Sequence, residues 1–327
     1  MKIGIIVGGV ALGLVLLAIL ASYYTFRMAF YSDRRKTHRR YYDLSTEAPE
    51  IQEKSNRLID AIMEMPYEDV NIKSYDGLNL HARYYHNCDG KAVEIHFHGY
   101  KSVSYKDFSG GVPEALAQGR NVLLIDQRAH GGSEGTRITF GAKERYDALS
   151  WVNYVVSRFG EEVEILLYGI SMGAGTVLLA SALGLPKNVK GIVADCPYSS
   201  AKEIVLKVAA EMGYPKKPVY PFIKLGAKLF GGFSIEEASP VDAVGRTDIP
   251  ILIIHGEGDN FVPCDMSREI HKAGATTELR TFPKAGHGLC FLYYRDEYMD
   301  TVTEFYNRIF SDKNKIAVSG ERNTEND

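Results

Sequence analysis

The stretch LLYGISMGAG, from Leu166 to Gly175, decides how the rest of the chain is read. An apolar run is followed by Gly169, Ser171 and Gly173 on alternate positions, and then by small residues. Glycines commonly punctuate the end of a strand, so a loose turn is one reading. The other is a nucleophile elbow, in which the strand stops so abruptly that Ser171 is forced into a strained backbone conformation. The flanking positions must then be glycine, because a Cβ would collide there. The G-x-S-x-G string alone does not choose between the two; its surroundings have to.

The chain has 327 residues, enough for one large α/β domain or two small ones with a substantial core. Hydrophobic residues at 45% and charged residues at 24% are ordinary for a globular protein. A formal net charge of -3 gives no basic surface of the kind that phosphate backbones require, so nucleic acid is excluded as an expected partner. Cys88, Cys196, Cys264 and Cys290 are scattered without C-x-x-C spacing, which argues against a zinc site or a redox pair. Each reads as a small buried hydrophobe, and disulfides are not expected in a chain with its own core.

The two ends differ from the middle. From Ile3 to Phe26 there is no charged residue, and IGIIVGGVALGLVLLAILA is long and apolar enough to cross a hydrocarbon core of about 30 Å as a helix. A signal peptide has a shorter apolar region, of about 7 to 15 residues, so residues 1–26 read as a retained transmembrane anchor. Only Lys2 precedes the run, whereas Arg27, Arg34, Arg35, Lys36, Arg39 and Arg40 follow it, with His38 among them. The positive-inside rule therefore predicts a single-pass protein with its bulk in the cytoplasm and residues 27–46 as a basic juxtamembrane linker. Residues 47–311 read as the folded domain, and residues 312–327 as a polar tail without apolar periodicity.

Within the domain, Val70 to Tyr85 looks like two β segments around Asp76-Gly77, a strong hairpin signal. Short apolar runs then alternate with helical patterns: AVEIHF, NVLLID, VEILLYG, VKGIVAD and IPILIIHG, with helices near 113–118, 142–159 and 174–183 between them. Such alternation implies parallel strands covered by helices on both faces. The rhythm breaks over residues 197–245, an insertion where a cap or lid would sit.

Ligands in open sheets of this kind bind at the carboxyl ends of the strands, so the residues there carry the chemistry. VEIHF ends in His98-Gly99-Tyr100, and NVLLID leads into DQRAHGGSEG. The backbone N–H groups of Tyr100 and Met172 are the natural pair to meet an oxyanion beside Ser171, since backbone donors need not reorganise. The side chains of His98, Asp126, Arg128 and His130 read as architectural, with Asp126 and Arg128 bonding backbone. ILIIHG leads to Asp259 on a loop, where a carboxylate can orient a histidine; Asp195, at the end of GIVAD, is the rival acid. His287, framed by Gly286 and Gly288, is the histidine that completes the chain order Ser, Asp, His.

At this point the sequence resembles an α/β-hydrolase over nearly everything from Val70 to Phe310, on HGY at 98–100, GISMG at 169–173, HGEGDNFVP with Asp259, and AGHG with His287. Within that superfamily it is similar to the serine aminopeptidase and monoacylglycerol-lipase-like branch, particularly membrane-anchored bacterial members. DQRAHGGSEG is close to the D-x-R-G-H-G-x-S-x-G of that branch, with Ala129 in place of a glycine. The resemblance implies a mostly parallel eight-stranded sheet, a small helical cap and a Ser-His-Asp hydrolase; the branch includes esterases, lipases, thioesterases and peptidases.

The expected chemistry is acyl transfer through Ser171, His287 and Asp259, with no metal or organic cofactor. Tyr198, Met212, Tyr214, Tyr220, Phe222, Phe230 and Phe233 of the cap offer apolar surface that could hold an acyl chain, though core packing explains the same residues. The expected substrate is a small acyl ester, lipid-derived given the anchor. The rival enzyme reading is a peptidase or amidase that grips a free amine through Glu236 and Glu237, and the rival outside enzymology is a receptor that keeps the fold without turnover.

Overall fold

The computed structural model describes residues 2–33, 40–89 and 92–311. The expected tail at 312–327 and the basic residues Arg34, Arg35, Lys36, His38 and Arg39 lie outside the described residues.

The apolar runs form one eight-stranded sheet. Its strands are β1 (Glu68–Lys73), β2 (Asn79–Tyr85), β3 (Val93–Phe97), β4 (Asn121–Ile125), β5 (Ile165–Ile170), β6 (Val189–Asp195), β7 (Ile251–Gly256) and β8 (Thr277–Phe282). They are ordered β1-β2-β4-β3-β5-β6-β7-β8. The expected hairpin joins β1 to β2 in antiparallel register, with Lys73 opposite Asn79. β2 is also antiparallel to β4, and every other pair is parallel. β3, β4 and β7 are buried at every position, because helices cover both faces.

Alternate residues of each strand go to opposite faces, so one strand feeds two cores. Ile165 and Leu167 of β5 pack on one side with Trp151, Val152, Leu178 and Ile270. Leu166 and Tyr168 pack on the other with Ile62, Val112, Val302 and Phe305. The insertion between β6 and β7 is helical, as expected, with cap helices at Ala201–Glu211 and Lys216–Gly226. It builds a third core with Phe140 and Met172.

The N-terminal helix runs from Lys2 to Ala29, and by length and composition Ile5–Ala29 can cross a membrane. Its large apolar side chains from Ile5 to Leu20 are exposed, but Ser22 is buried, and Phe26 and the following Phe30 are buried in the third core. A Cβ on Gly226 of the second cap helix would lie 2.3 Å from the Ser22 carbonyl oxygen, and Thr25 Oγ1 donates to the Phe222 carbonyl at 3.1 Å. Beyond the helix the backbone is tied to the loop after β4: Ile138 N–H donates to the Phe30 carbonyl at 2.8 Å and Ser32 N–H to that of Thr136 at 3.0 Å. The last turns of the apolar helix, which carry Arg27, and the residues just after it are thus packed into the domain rather than standing off as a linker. Three cysteines are buried as expected; Cys88 is exposed, since it follows the end of β2 in a surface loop.

Phe30 meets Phe140 and Phe233 edge-on at 5.9 and 5.2 Å and is fully buried. Phe30→Ala should therefore destabilise the whole domain by about 3 kcal/mol, read as a lowered thermal midpoint of the detergent-solubilised protein.

Candidate active site

β5 ends at Ile170, and the next helix starts at Met172 with no intervening loop. Ser171, the single residue between them, has φ 54 and ψ -113, a conformation that L side chains rarely adopt. The glycines on either side are required by close approach. A Cβ on Gly169 would lie 2.3 Å from the Gly173 carbonyl group, and one on Gly173 would lie 1.8 Å from the Phe97 carbonyl oxygen at the end of β3. The elbow thus forms because two backbones touch where the chain turns, and it lifts Ser171 above the sheet edge.

The loops after β7 and β8 bring two further side chains to Ser171. His287 Nε2 is 2.9 Å from Ser171 Oγ, and His287 Nδ1 is 2.6 Å from Asp259 Oδ2. Asp259 Oδ1 accepts the backbone N–H groups of Phe261 and Val262 at 2.9 and 2.8 Å. His255, at the end of β7, stands 3.2 Å from Asp259 Oδ2, with its other ring nitrogen 2.6 Å from Ser267 Oγ. Burial by itself would raise the pKa of Asp259, but the hydrogen bonds from His255 and His287 outweigh it and hold the carboxyl below the ordinary range. Asp195 is engaged elsewhere: it accepts the Tyr298 hydroxyl at 2.8 Å, and burial pushes its pKa up to about 6.

The loop after β3 lies against the elbow, and a Cβ on Gly99 would come 3.5 Å from Ser171 Cβ. Tyr100 and Met172 line a cavity together with Ser171. Buried and half-buried polar groups fix this loop. Asp107 accepts the Gly99 N–H at 2.6 Å, the Ser102 hydroxyl at 2.6 Å and the Tyr42 hydroxyl. Burial pushes the Asp107 carboxyl up to about 7, against the opposing Gly99 hydrogen bond. His130 Nε2 accepts the Lys101 N–H at 3.0 Å, and His98 Nε2 accepts the Gln127 N–H at 3.0 Å. Asp126 bonds backbone at Gly132, as expected, but Arg128 does not. Its guanidinium pairs with the carboxylates of Asp147 and Asp76, because the β1–β2 turn and the helix Glu144–Phe159 present acids to it.

Asp107 and His255 support the site without any motif to announce them. Asp107 reaches back to the Gly99 N–H of its own segment and His255 stands just before Asp259, but neither SYKD nor ILIIHG matches a motif that assigns those contacts. Cys196 Sγ, Asp259 and His287 offer atoms within 4.8 Å of one another, a spacing compatible with a metal ion. They are a poor donor set: both His287 ring nitrogens are already hydrogen-bonded, and burial holds the Cys196 thiol protonated.

Two cavities meet at Ser171, sharing Tyr100 and Phe261 as well. The first, of about 310 Å³, lies under the cap and is almost wholly apolar, lined by Tyr198, Val205, Met212 and Tyr214 among others. The second, of about 270 Å³, has polar groups beside the site, including Tyr42, Ser102, Lys106 and Asp107. Phe222 and Phe233, expected in the acyl site, line neither cavity. Phe233 is packed against Phe30 instead, and Phe222 stands half-buried on the cap helix that meets the N-terminal helix. Glu236 is tied to Tyr220 and Lys224, Glu237 lies 4.0 Å from Arg145, and neither faces a cavity.

Comparison with known proteins agrees with this architecture. The α/β hydrolase fold profile matches residues 95–219. The uncharacterized protein YqkD of Bacillus subtilis is 29% identical over 196 residues, which is 59% of this chain and 64% of that relative's length. The lysophosphatidylserine lipase ABHD12 of Macaca fascicularis is 23% identical over 226 residues, 64% of this chain and 55% of the relative. Among solved structures, the Pyrococcus furiosus esterase Pf2001 superposes with a TM-score of 0.60 and 25% identity, covering 77% of this chain and 94% of that one.

Two outcomes are expected from this geometry. Asp107→Ala, which frees the Gly99 loop, should lower kcat by about tenfold, less than the roughly 10²–10³ lost with an oxyanion donor itself, and should leave KM nearly unchanged; steady-state kinetics on an activated ester will tell. Asp259 has a depressed folded pKa, so its stabilising contribution is complete above the ordinary carboxylate value of about 3.9 and is lost as pH falls through the folded value. The stability gap between wild type and Asp259→Asn, measured by thermal unfolding, should stay constant from pH 7 down to about 4 and close below it.

Proposed function

We propose that this α/β-hydrolase-fold chain is a serine hydrolase that cleaves a carboxylic ester with an apolar acyl group. The observation that carries the reading is the unbroken hydrogen-bonded chain from Ser171 through His287 to Asp259, with the Ser171 hydroxyl at the junction of two cavities. His287 Nε2 takes the Ser171 proton as Oγ attacks the ester carbonyl, and Asp259 stabilises the imidazolium that forms. The N–H groups of Tyr100 and Met172 meet the oxyanion. Collapse expels the alcohol, which leaves with the proton from His287; water, activated by the same imidazole, then releases the acid.

The two cavities divide the substrate. The apolar one suits the acyl chain, and the more polar one suits the leaving alcohol. A similar solved structure is an esterase and one relative is a lysophosphatidylserine lipase, and both bear on esters. A peptidase of the serine aminopeptidase branch needs a grip on a free amine; Glu236 and Glu237 are engaged away from Ser171, so the ester reading is preferred. The N-terminal helix serves as a membrane anchor in this reading, with the catalytic domain on the cytoplasmic side.

Ser171→Ala should lower kcat on the order of 10⁶-fold and abolish labelling by a fluorophosphonate. On a panel of p-nitrophenyl esters beside aminoacyl p-nitroanilides, the esters should turn over; activity confined to the anilides would remove the esterase assignment. Protease added to intact cells should leave the domain uncut, and digestion from outside would reverse the orientation.

A further inference from the structure

The apolar cavity under the cap is not built by the cap alone. Tyr24, Thr25, Met28 and Ala29, from the last turns of the N-terminal helix, line it together with Ser171 and Met172. The same turns reach the loop beside Ser171: Tyr100 Oη donates to the Ala29 carbonyl at 2.8 Å and Lys101 Nζ to that of Met28 at 3.1 Å. These carbonyls belong to the end of a helix, where they have no intrahelical partner, so a hydroxyl and a cation from the catalytic loop cap it.

One turn upstream, the helix leaves the protein altogether, with its apolar side chains exposed from Ile5 to Leu20. Where the two regions join stand exposed Tyr23, Tyr24 and Arg27, the aromatic and basic residues that collect at a headgroup boundary. The cap presents a matching rim. Met212 and Tyr214 are exposed, the Tyr214 hydroxyl is 3.3 Å from that of Tyr24, and Lys216 and Lys217 stand exposed just beyond. The cavity's edge between helix and cap is therefore at the level where the helix would enter a bilayer, and lysines next to it suit anionic headgroups.

We infer that the N-terminal helix is one wall of the acyl pocket, and that the substrate is a single-chain ester drawn sideways from the same bilayer the helix occupies. This rests on the ester-hydrolase reading and adds to it where the substrate comes from. A volume of about 310 Å³ is at the lower end of small-molecule sites, about 300–1,000 Å³, and suits one acyl chain rather than two. The polar remainder of such an amphiphile stays toward the second cavity and the headgroup layer.

The full-length chain in proteoliposomes provides the test. Ala29→Trp, which fills the pocket from the helix side, should lower the ratio of kcat/KM for long-chain over short-chain p-nitrophenyl esters by about tenfold or more. Met28→Ala, which enlarges it, should raise that ratio, and Leu17→Trp in the exposed part should leave it unchanged. Fluorophosphonate labelling reports that each variant is folded. A slowly exchanging long-chain monoacyl ester should be cleaved at least about tenfold faster when it resides in the enzyme's own vesicles than in separate ones, because transfer between vesicles then limits the rate. An unchanged ratio in folded Ala29→Trp and Met28→Ala variants overturns the wall. Equal rates from the two vesicle populations overturn sideways delivery, while Ser171-dependent cleavage of short esters would keep the enzyme assignment standing. Failure of every ester to turn over overturns both.

Discussion

The backbone of Gly173 passes so close to the Phe97 carbonyl that any Cβ there would lie 1.8 Å from its oxygen. That approach sets the register between the end of β3 and the start of the helix after β5, and with it the position of Ser171. Ser171 holds φ 54 because the strand before it and the helix after it leave no other path. Such strain costs about 1–3 kcal/mol and persists only where surrounding structure over-determines it. Here the surroundings are a strand buried on both faces and a helix whose residues are all buried.

Around this fixed point the polar groups are arranged as braces. Asp107 holds the Gly99 loop, His130 holds the next turn of the same loop, and His255 with two backbone N–H groups holds Asp259. His130, His255 and Asp259 are buried and Asp107 is half-buried, in surroundings where a hydrogen bond is electrostatically stronger than in water and an unpaired group costly. For the proposed reaction the consequence is preorganisation: the imidazole is already held between Ser171 and Asp259 by a contact at each ring nitrogen.

The N-terminal helix changes what counts as the domain. A tether would need only length and apolarity. This helix instead buries Ser22 and Phe26, receives hydrogen bonds from Tyr100 and Lys101, and closes one side of a cavity at Ser171. Its exposed half and its packed half are one continuous helix, so any movement of the exposed half relative to the domain is resisted by the third core.

The alternation of buried runs with helical segments, the hairpin at Asp76-Gly77 and the glycines around Ser171 are local patterns, which a sequence displays; Ser171, Asp259 and His287, far apart in the chain, were legible because each follows an apolar run that reads as a strand. Sterics make Gly169 and Gly173 legible, because only glycine fits where backbones touch. Which cap residues face Ser171 was not legible: Tyr198, Met212 and Tyr214 do, while Phe222 and Phe233 meet the N-terminal helix or its neighbours, and apolar side chains of one helical stretch look alike until their partner is known. Ala29 was silent for the same reason: it meets Tyr100, far away in the chain, only once the sheet has brought its strand ends, and the helix that precedes them, to one place. Asp107 and His255 contact Gly99 and Asp259 within their own segments, and there it is the path of the folded loop, which no motif spells out, that makes the contact.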